Sequence, residues 1–498
     1  MRMNYSVIGH PLIEGSKVMK KDYDLIVVGA GPSAAFLAYE LIKLNKHKNM
    51  LLIEQGKKVE KRNCPIEKIG ECAKCKPLCD ITCGFSGAGA FSDGKLSLYN
   101  ASDDDIYVGG KLHEHIGVQK TKELIDYTDN IYLEFGADRK LEGVDYKEEV
   151  KKIYDKAKKE GINLIDIPIR HLGTEKAHEL YGKIESYLEE HIDLMFDTAV
   201  SDLIIEDGKI KGVKTKPSKY VEDENYDKEE IIHANNVVLS VGRKGANWLS
   251  DMCDKYKIDA HSGIVDIGVR YELPDSVMAD INKYMYEGKF IGRPGPFKDK
   301  VRTFCQNPSG FVSTEVYDKK MTLVNGHSYK ERKSTNTNLA ILVSHNFTHP
   351  FNKPIEYGRN IAENLNALGA GNVIVQRLGD IRRGKRTWEK ELERNTVEPT
   401  LKSAVPGDLT YAIGYRTMSG ILGFINTLDK VVEGFANPDN LLYAPEIKFY
   451  SNRIVINNDF ETNIKGLYSI GDGGGMTRGL MMASCSGVQM ARNLSDKL

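Results

Sequence analysis

The sequence predicts an α/β protein of at least two domains, on three observations. Near the N-terminus a short apolar run, Asp24–Val28, breaks on Gly29-Ala30-Gly31-Pro32 and continues as a helical pattern. Near the C-terminus GLYSIGDGGGMTRGLMMASCSGVQMARNL reads strand, glycine turn, helix again. The chain has 498 residues, more than a single compact core fills. Composition excludes several classes. Hydrophobic residues make up 41% and charged residues 28%, with a formal net charge of −1. Whole-chain disorder and a polyanion-binding coat are both poor fits to that balance. No apolar run reaches the roughly 18 residues of a membrane span. Residues 1–20 carry no export-signal core, so a cytoplasmic setting is expected, in which structural disulfides are rare.

The elements follow in order. Asp24–Val28 has the continuous apolar character of a strand buried on both faces. From Ser33 onward Ala35, Leu37, Ala38, Leu41 and Ile42 recur at helical spacing, and Met50–Ile53 is a second strand run ending in Glu54. Together they form a βαβ unit. Residues 64–100 are rich in Cys and Gly and read as loop; 116–195 read as a polar, mostly helical insertion. Strand patterns return at 194–205 and 210–215 around the turn signal Glu206-Asp207-Gly208-Lys209, then at Asn236–Val241. The expected organisation is an extension 1–20, a discontinuous nucleotide domain 21–115, 196–245 and 441–498, and an α+β substrate or cap domain 246–440.

The glycine turn carries the first chemistry. Gly29 permits the tight turn, Gly31 lets backbone approach a pyrophosphate, and Ala34 lets the helix pack on the strand. Pro32 and Ser33 open the helix, whose free N–H groups and dipole favour phosphate. Glu54 stands where an acid can bind ribose hydroxyls. The closing Gly471-Asp472 and Gly473–Gly475, and the Val241-Gly242-Arg243 turn, offer further backbone to a long cofactor, which favours FAD over NAD. Asp472 reads equally as a helix cap.

Three further constellations stand out. Cys64, Cys72, Cys75, Cys79 and Cys83 lie within 20 residues and contain a Cys-x2-Cys step. They read as ligands of an iron–sulfur centre, for which a [4Fe-4S] cluster is the candidate, or of structural zinc, as a thiol–disulfide pair, or as free thiols. Gly84–Ser97, with four glycines, suits approach of backbone to a flat ring, and its Ser92, Asp93 and Lys95 could act on a ligand. In the middle region Arg302–Gln306 and Asn325–Tyr329 hold possible acid–base groups, with His327 and Tyr329 the candidates for proton transfer. The basic run Arg377, Arg382, Arg383, Lys385 and Arg386 reads as a solvated face or as a surface for an anionic substrate or an acidic electron donor such as a ferredoxin.

The pieces VVGAGPSA, CGFSGAGAFSDGKLS, RHLGTEKA, VDIGVRYELP, VRTFCQNPSGFV, VNGHSYK, QRLGD, PGDL and GLYSIGDGGGMTRGLMMASCSGVQMAR span about residues 21–495. With them the chain resembles the uncharacterised FAD-dependent dehydrogenases, a bacterial and archaeal group of NAD(P)/FAD-dependent oxidoreductases. The resemblance implies the two-dinucleotide-binding-type, Rossmann-like flavin fold. It also implies FAD held by Gly29, Gly31, Ala34, Glu54, Gly471 and Asp472, with the glycine-rich loop near the flavin. It implies no substrate. The full candidate cofactor set adds Pro32, Ser33, Gly87, Gly89, Val200, Gly242, Gly479 and Leu480; the catalytic candidates are His327, Tyr329 and Lys95. The expected activity is hydride or electron transfer between flavin and an organic substrate. Alternatives are a flavin-linked thiol–disulfide enzyme and a non-catalytic electron-transfer subunit. No second strand–GxGxxG–helix unit exists to hold a dedicated NAD(P)H, so the electron donor stays open.

Overall fold

The computed structural model describes residues 20–64, 75, 78–91, 94–100, 105–218, 229–261, 263–285, 288–317, 321–328, 332–351, 353–450 and 453–498. The candidates Cys72, Ser92, Asp93 and Tyr329 lie outside the described residues. Two sheets organise the chain. The first holds Asp193–Met195, Met50–Ile53, Asp22–Val28, Glu230–Leu239, Lys209–Pro217 and Thr198–Glu206 in that order. The central strand Asp22–Val28 pairs in parallel with Met50–Ile53 on one side and Glu230–Leu239 on the other. Leu467–Ser469 runs parallel to the C-terminal half of Glu230–Leu239, and the hairpin Thr198–Glu206/Lys209–Pro217 takes the other half.

Leu25, Ile26 and Val27 are buried on both faces of this sheet, which explains their unbroken apolar run. On one face lie the helices Pro32–Lys43 and Leu480–Leu494. On the other, Ala246–Tyr256 buries Leu249, Met252 and Cys253 against the strands. The first and last helices pack closely because Gly487 has no Cβ; one added there would sit 2.0 Å from the Ser33 carbonyl oxygen.

The second sheet has eight strands. Its centre is Val265–Pro274, flanked antiparallel by Asn336–His345 and Leu441–Phe449. Along Val265–Tyr271 the alternation is explicit. Val265, Ile267, Val269 and Tyr271 face an apolar core shared with helices Pro354–Leu368 and Tyr415–Asp429, while Asp266, Gly268, Arg270 and Glu272 occupy the opposite face. Among the described residues no helix is long and apolar enough to cross a membrane.

The expected domain limits shift at three places. The segment 116–195 is not a separate insertion. Its helices Val118–Glu134 and Thr174–Glu189 supply Leu124, Ile125, Leu180 and Ile184 to the core beneath the first helix. Its strand Asn163–Ile165 joins the edge of the second sheet, and Asp193–Met195 joins the first. Leu441–Phe449 belongs to the second sheet, not to the closing nucleotide segment, and Ala246–Tyr256 belongs to the first unit. Polarity misled the reading of 116–195: a helix that buries one stripe still shows a largely charged sequence.

One buried acid in this region gives a testable pH dependence. Glu185 is 5% exposed and accepts the Val59 N–H at 2.9 Å. Burial, helped by Glu189, pushes its carboxyl up to about 7, against the opposing Val59 N–H and Lys58. The folded chain therefore holds a proton that the unfolded chain releases near its ordinary value of about 4.3. Stability falls as pH rises from there to about 7, by on the order of 3 kcal/mol. Glu185→Gln should remove this slope: in paired thermal melts, variant and wild type converge near pH 4 and the variant is more stable at pH 8. A gap that is the same at both pH values would contradict the assignment.

Candidate functional site

The opening turn meets the closing glycine segment. A Cβ on Gly471 would lie 2.6 Å from the Ser33 hydroxyl oxygen, and the Gly471 N–H donates to Ser486 in the last helix at 3.3 Å. Two kinds of glycine line this junction. Gly29 has φ +96° and sits 2.8 Å, by its absent Cβ, from the Ser240 carbonyl; Gly473 would come within 2.0 Å of the Val241 carbonyl. These are close-packing glycines. Gly31, Gly242 and Gly479 face open space instead, with nothing within 4 Å of an added Cβ. Gly87 meets only the Gly31 Cα, at 3.9 Å. Four separate chain segments thus leave glycine backbone open near this junction.

The first helix begins at this junction. Gly31 is its N-cap, no side chain caps it, Pro32 fills the first turn, and no acid lies there. Its first N–H groups are left for a ligand anion. These features fit the adenine dinucleotide of FAD. The first turn from Gly31 to Ala34 and the Gly471–Asp472 backbone would hold its phosphates, and the Gly87 and Gly479 segments would face the flavin end. When bound, flavin supplies the capacity to accept or donate a hydride or single electrons.

Several predicted side chains have further duties. Glu54 is 6% exposed and accepts the N–H groups of Ala30, Gly56 and Gly84, each at 2.9 Å. It ties the opening turn to the glycine-rich loop. The Ser33 hydroxyl is engaged with Ser240 at 2.6 Å, so its backbone N–H is the part left for a cofactor. Asp472 accepts the Thr477 hydroxyl at 2.9 Å, with Gly479 N–H at 3.5 Å, and shapes the turn before the last helix. The helix cap itself is Gly479, and Leu480 begins the helix. Gly89 is a packing position, against Tyr181 at 3.0 Å and Leu480 at 3.2 Å. Val200 is a core residue of the strand Thr198–Glu206.

Arg62 organises the loop, and no motif announced it. It is 4% exposed and donates to the carbonyls of Asp80, Ile81, Phe85 and Gly87 at 2.5–2.9 Å. A planar fork of five donors suits four carbonyls on one curved loop.

The catalytic and metal candidates fare differently. His327 ends the hairpin strand Met321–His327 opposite Phe311 and is exposed. The position in its motif that the fold constrains is Gly326, whose absent Cβ leaves room for the buried Arg270 guanidinium, 1.7 Å away. Lys95 lies on a short strand paired with His171. Among the described residues no three His, Cys, Asp or Glu side chains come together as a metal-holding group. The Cys83 thiol is buried, receives the Gln55 amide at 3.8 Å, and is pushed up to about 11 by burial. The other described thiols of the block are Cys64, Cys75 and Cys79. In the basic run Arg377 and Arg383 pair with Asp439 and Asp380, and Arg382 with Asn426. Lys385 and Arg386 remain outside these pairings, with Arg386 3.8 Å over the Trp388 ring.

A second element of the site was not legible as a motif. Between the two sheets lies a cavity of about 200 Å³, lined by Asp266, Lys300 and Arg302 of the second unit and by Arg478 of the closing glycine segment. Asp266 accepts Arg302 and Tyr450 at 2.8 Å and Ser344 at 2.7 Å. Burial pushes the Asp266 carboxyl up, but Arg302, Ser344 and Tyr450 outweigh it and hold it below the usual range.

The opening and closing glycine segments of the first sheet thus meet, and the closing segment also reaches a cavity lined by the second sheet. Residues 266–448 match the family model described as FAD-dependent protein, C-terminal domain-like, which coincides with the second sheet. An uncharacterized protein of Clostridium beijerinckii is 24% identical over 95% of this chain and 80% of its own length. Among solved structures, formate oxidase aligns at 12% identity over 96% of this chain and 98% of its own, with a TM-score of 0.45. L-proline dehydrogenase from P. horikoshii aligns at 13% over 96% and 95%, with a TM-score of 0.38.

Proposed function

We propose that the protein moves hydride or electrons between FAD and a small organic substrate held in the cavity between its two units. The observation that carries this reading is the meeting of the Gly29–Ala34 turn with the Gly471–Gly479 segment, because the latter also delivers Arg478 to the cavity. Cofactor and substrate spaces then share one stretch of chain. Pockets at domain junctions are the usual place for substrate. His327 is not among the residues that line this cavity, so the proton-bearing group proposed for the site is Lys300. Tyr450, bonded to Asp266 and Arg302, supports the wall without being one of its lining residues.

The reading takes flavin as the redox centre, with a relay at the cysteine block as its alternative. Anaerobic reductive titration of the purified native protein tests it. The expected end point is about two electron equivalents per chain, the capacity of one flavin. About three equivalents, accompanied by protein-bound iron, would show a second redox centre and restore the cysteine block as a relay. A chain that takes up none would overturn the redox reading.

A further inference from the structure

We propose that the cavity selects a small organic anion, bound through a carboxylate by Arg478, Lys300 and Arg293; this names the substrate class of the function proposed above and rests on it. The argument is a charge count at the wall. Arg293, Lys300, Arg302 and Arg478 face Asp266 and Asp299 across the cavity. Both carboxylates are already occupied. Asp266 is held by Arg302, and Asp299 takes both its bonds, at 2.6 Å, from Arg416, which stands outside the lining. Among the described residues Arg293 donates only to the Lys298 carbonyl, at 3.3 Å. Among the described residues no carboxylate pairs with Lys300 or Arg478.

Three cations therefore share a half-enclosed space with two carboxylates that are bonded to other arginines. Partial burial, together with Arg302, Arg478 and Arg293, outweighs the opposing Asp266 and holds the Lys300 ammonium below its usual range. Like charges this arranged repel, and an anion relieves the cost. The geometry of Arg478 suits a carboxylate. Its guanidinium lies 3.7 Å over the Tyr450 ring, which fixes its plane. Tyr450 is itself anchored to Asp266 and Arg302. A planar guanidinium held this way presents a paired N–H edge that a carboxylate can take with both oxygens. A neutral isostere would leave those donors and charges unpaired.

Calorimetric titration of the FAD-loaded protein with malonate, at low ionic strength and neutral pH, tests the proposal. Malonamide serves as the neutral probe and flavin content is measured on every sample. Saturable binding of malonate and none of malonamide is expected. Arg478→Met and Lys300→Met should each weaken malonate binding at least tenfold while keeping FAD. Lys183→Met, which removes an exposed positive charge from the helix Thr174–Glu189, should leave it unchanged. Equal binding by all variants, equal binding of malonamide, or binding lost on FAD loading would overturn the proposal; the last would assign these cations to the cofactor phosphates. Native protein that binds malonate but contains no FAD would sustain the anion site and refute the redox function instead.

Discussion

Gly31→Val is expected to give a folded protein that has lost FAD. The backbone at Gly31, φ −69° and ψ 178°, is one that valine adopts freely, and an added Cβ meets nothing within 4 Å. The substitution therefore costs the apoprotein little. Its isopropyl group fills the space in front of the first helical turn, where a phosphate must approach bare backbone. Flavin content should fall at least tenfold, equivalent to about 1.4 kcal/mol or more of lost binding, with a cooperative thermal melt retained. Gly487→Val provides the contrast. There the added Cβ would press 2.0 Å from the Ser33 carbonyl and drive the first and last helices apart. That overpacking should cost about 1–3 kcal/mol or more and lower the melting temperature directly. Stoichiometric FAD in Gly31→Val would show that the cofactor lies elsewhere.

Asp266→Ala is expected to destabilise the second unit by about 3–5 kcal/mol, the usual consequence of removing one partner from a buried ion pair. The Asp266 side chain is 1% exposed and that of Arg302 14%. Alanine leaves the Arg302 guanidinium, the Tyr450 hydroxyl and the Ser344 hydroxyl without their shared acceptor. The sign with pH follows from a depressed carboxyl. Its stabilisation is complete above the ordinary aspartate value of about 3.9 and is lost as pH falls through the lower folded value. Urea unfolding of wild type and variant should therefore differ by the full amount at pH 7 and converge only in strong acid. Tyr450→Phe, which keeps the ring beneath Arg478 and leaves the Asp266–Arg302 pair intact, should cost less, about 1 kcal/mol. A difference below about 1 kcal/mol for Asp266→Ala would mean that this cluster is not a strut of the second unit.

The parts legible in the sequence are those encoded locally. The Asp24–Ala34 strand, turn and helix and the Leu467–Leu480 strand, glycine turn and helix each lie within a few residues, so pattern and turn chemistry report them. The cavity was not legible, because its wall joins residue 266 to 302, 344 and 478, and no spacing rule connects them. Arg62 escaped for the same reason: its role appears only when residues 80–87 fold back over it. His327 drew notice as a titratable group beside a glycine, yet the constraint in that motif comes from Arg270 pressing on Gly326. Glu54 was placed at the right strand end, but its bonds to Ala30, Gly56 and Gly84 are long-range backbone contacts that a single sequence does not display.

The central claim is that the two glycine segments hold one FAD. Heat or acid release of the flavin from protein purified without added cofactor, followed by chromatographic identification and quantitation, tests it most directly. The structure predicts one FAD per chain, with its adenine moiety intact. A yield of FMN alone, or of no flavin at all from well-folded protein, would contradict it.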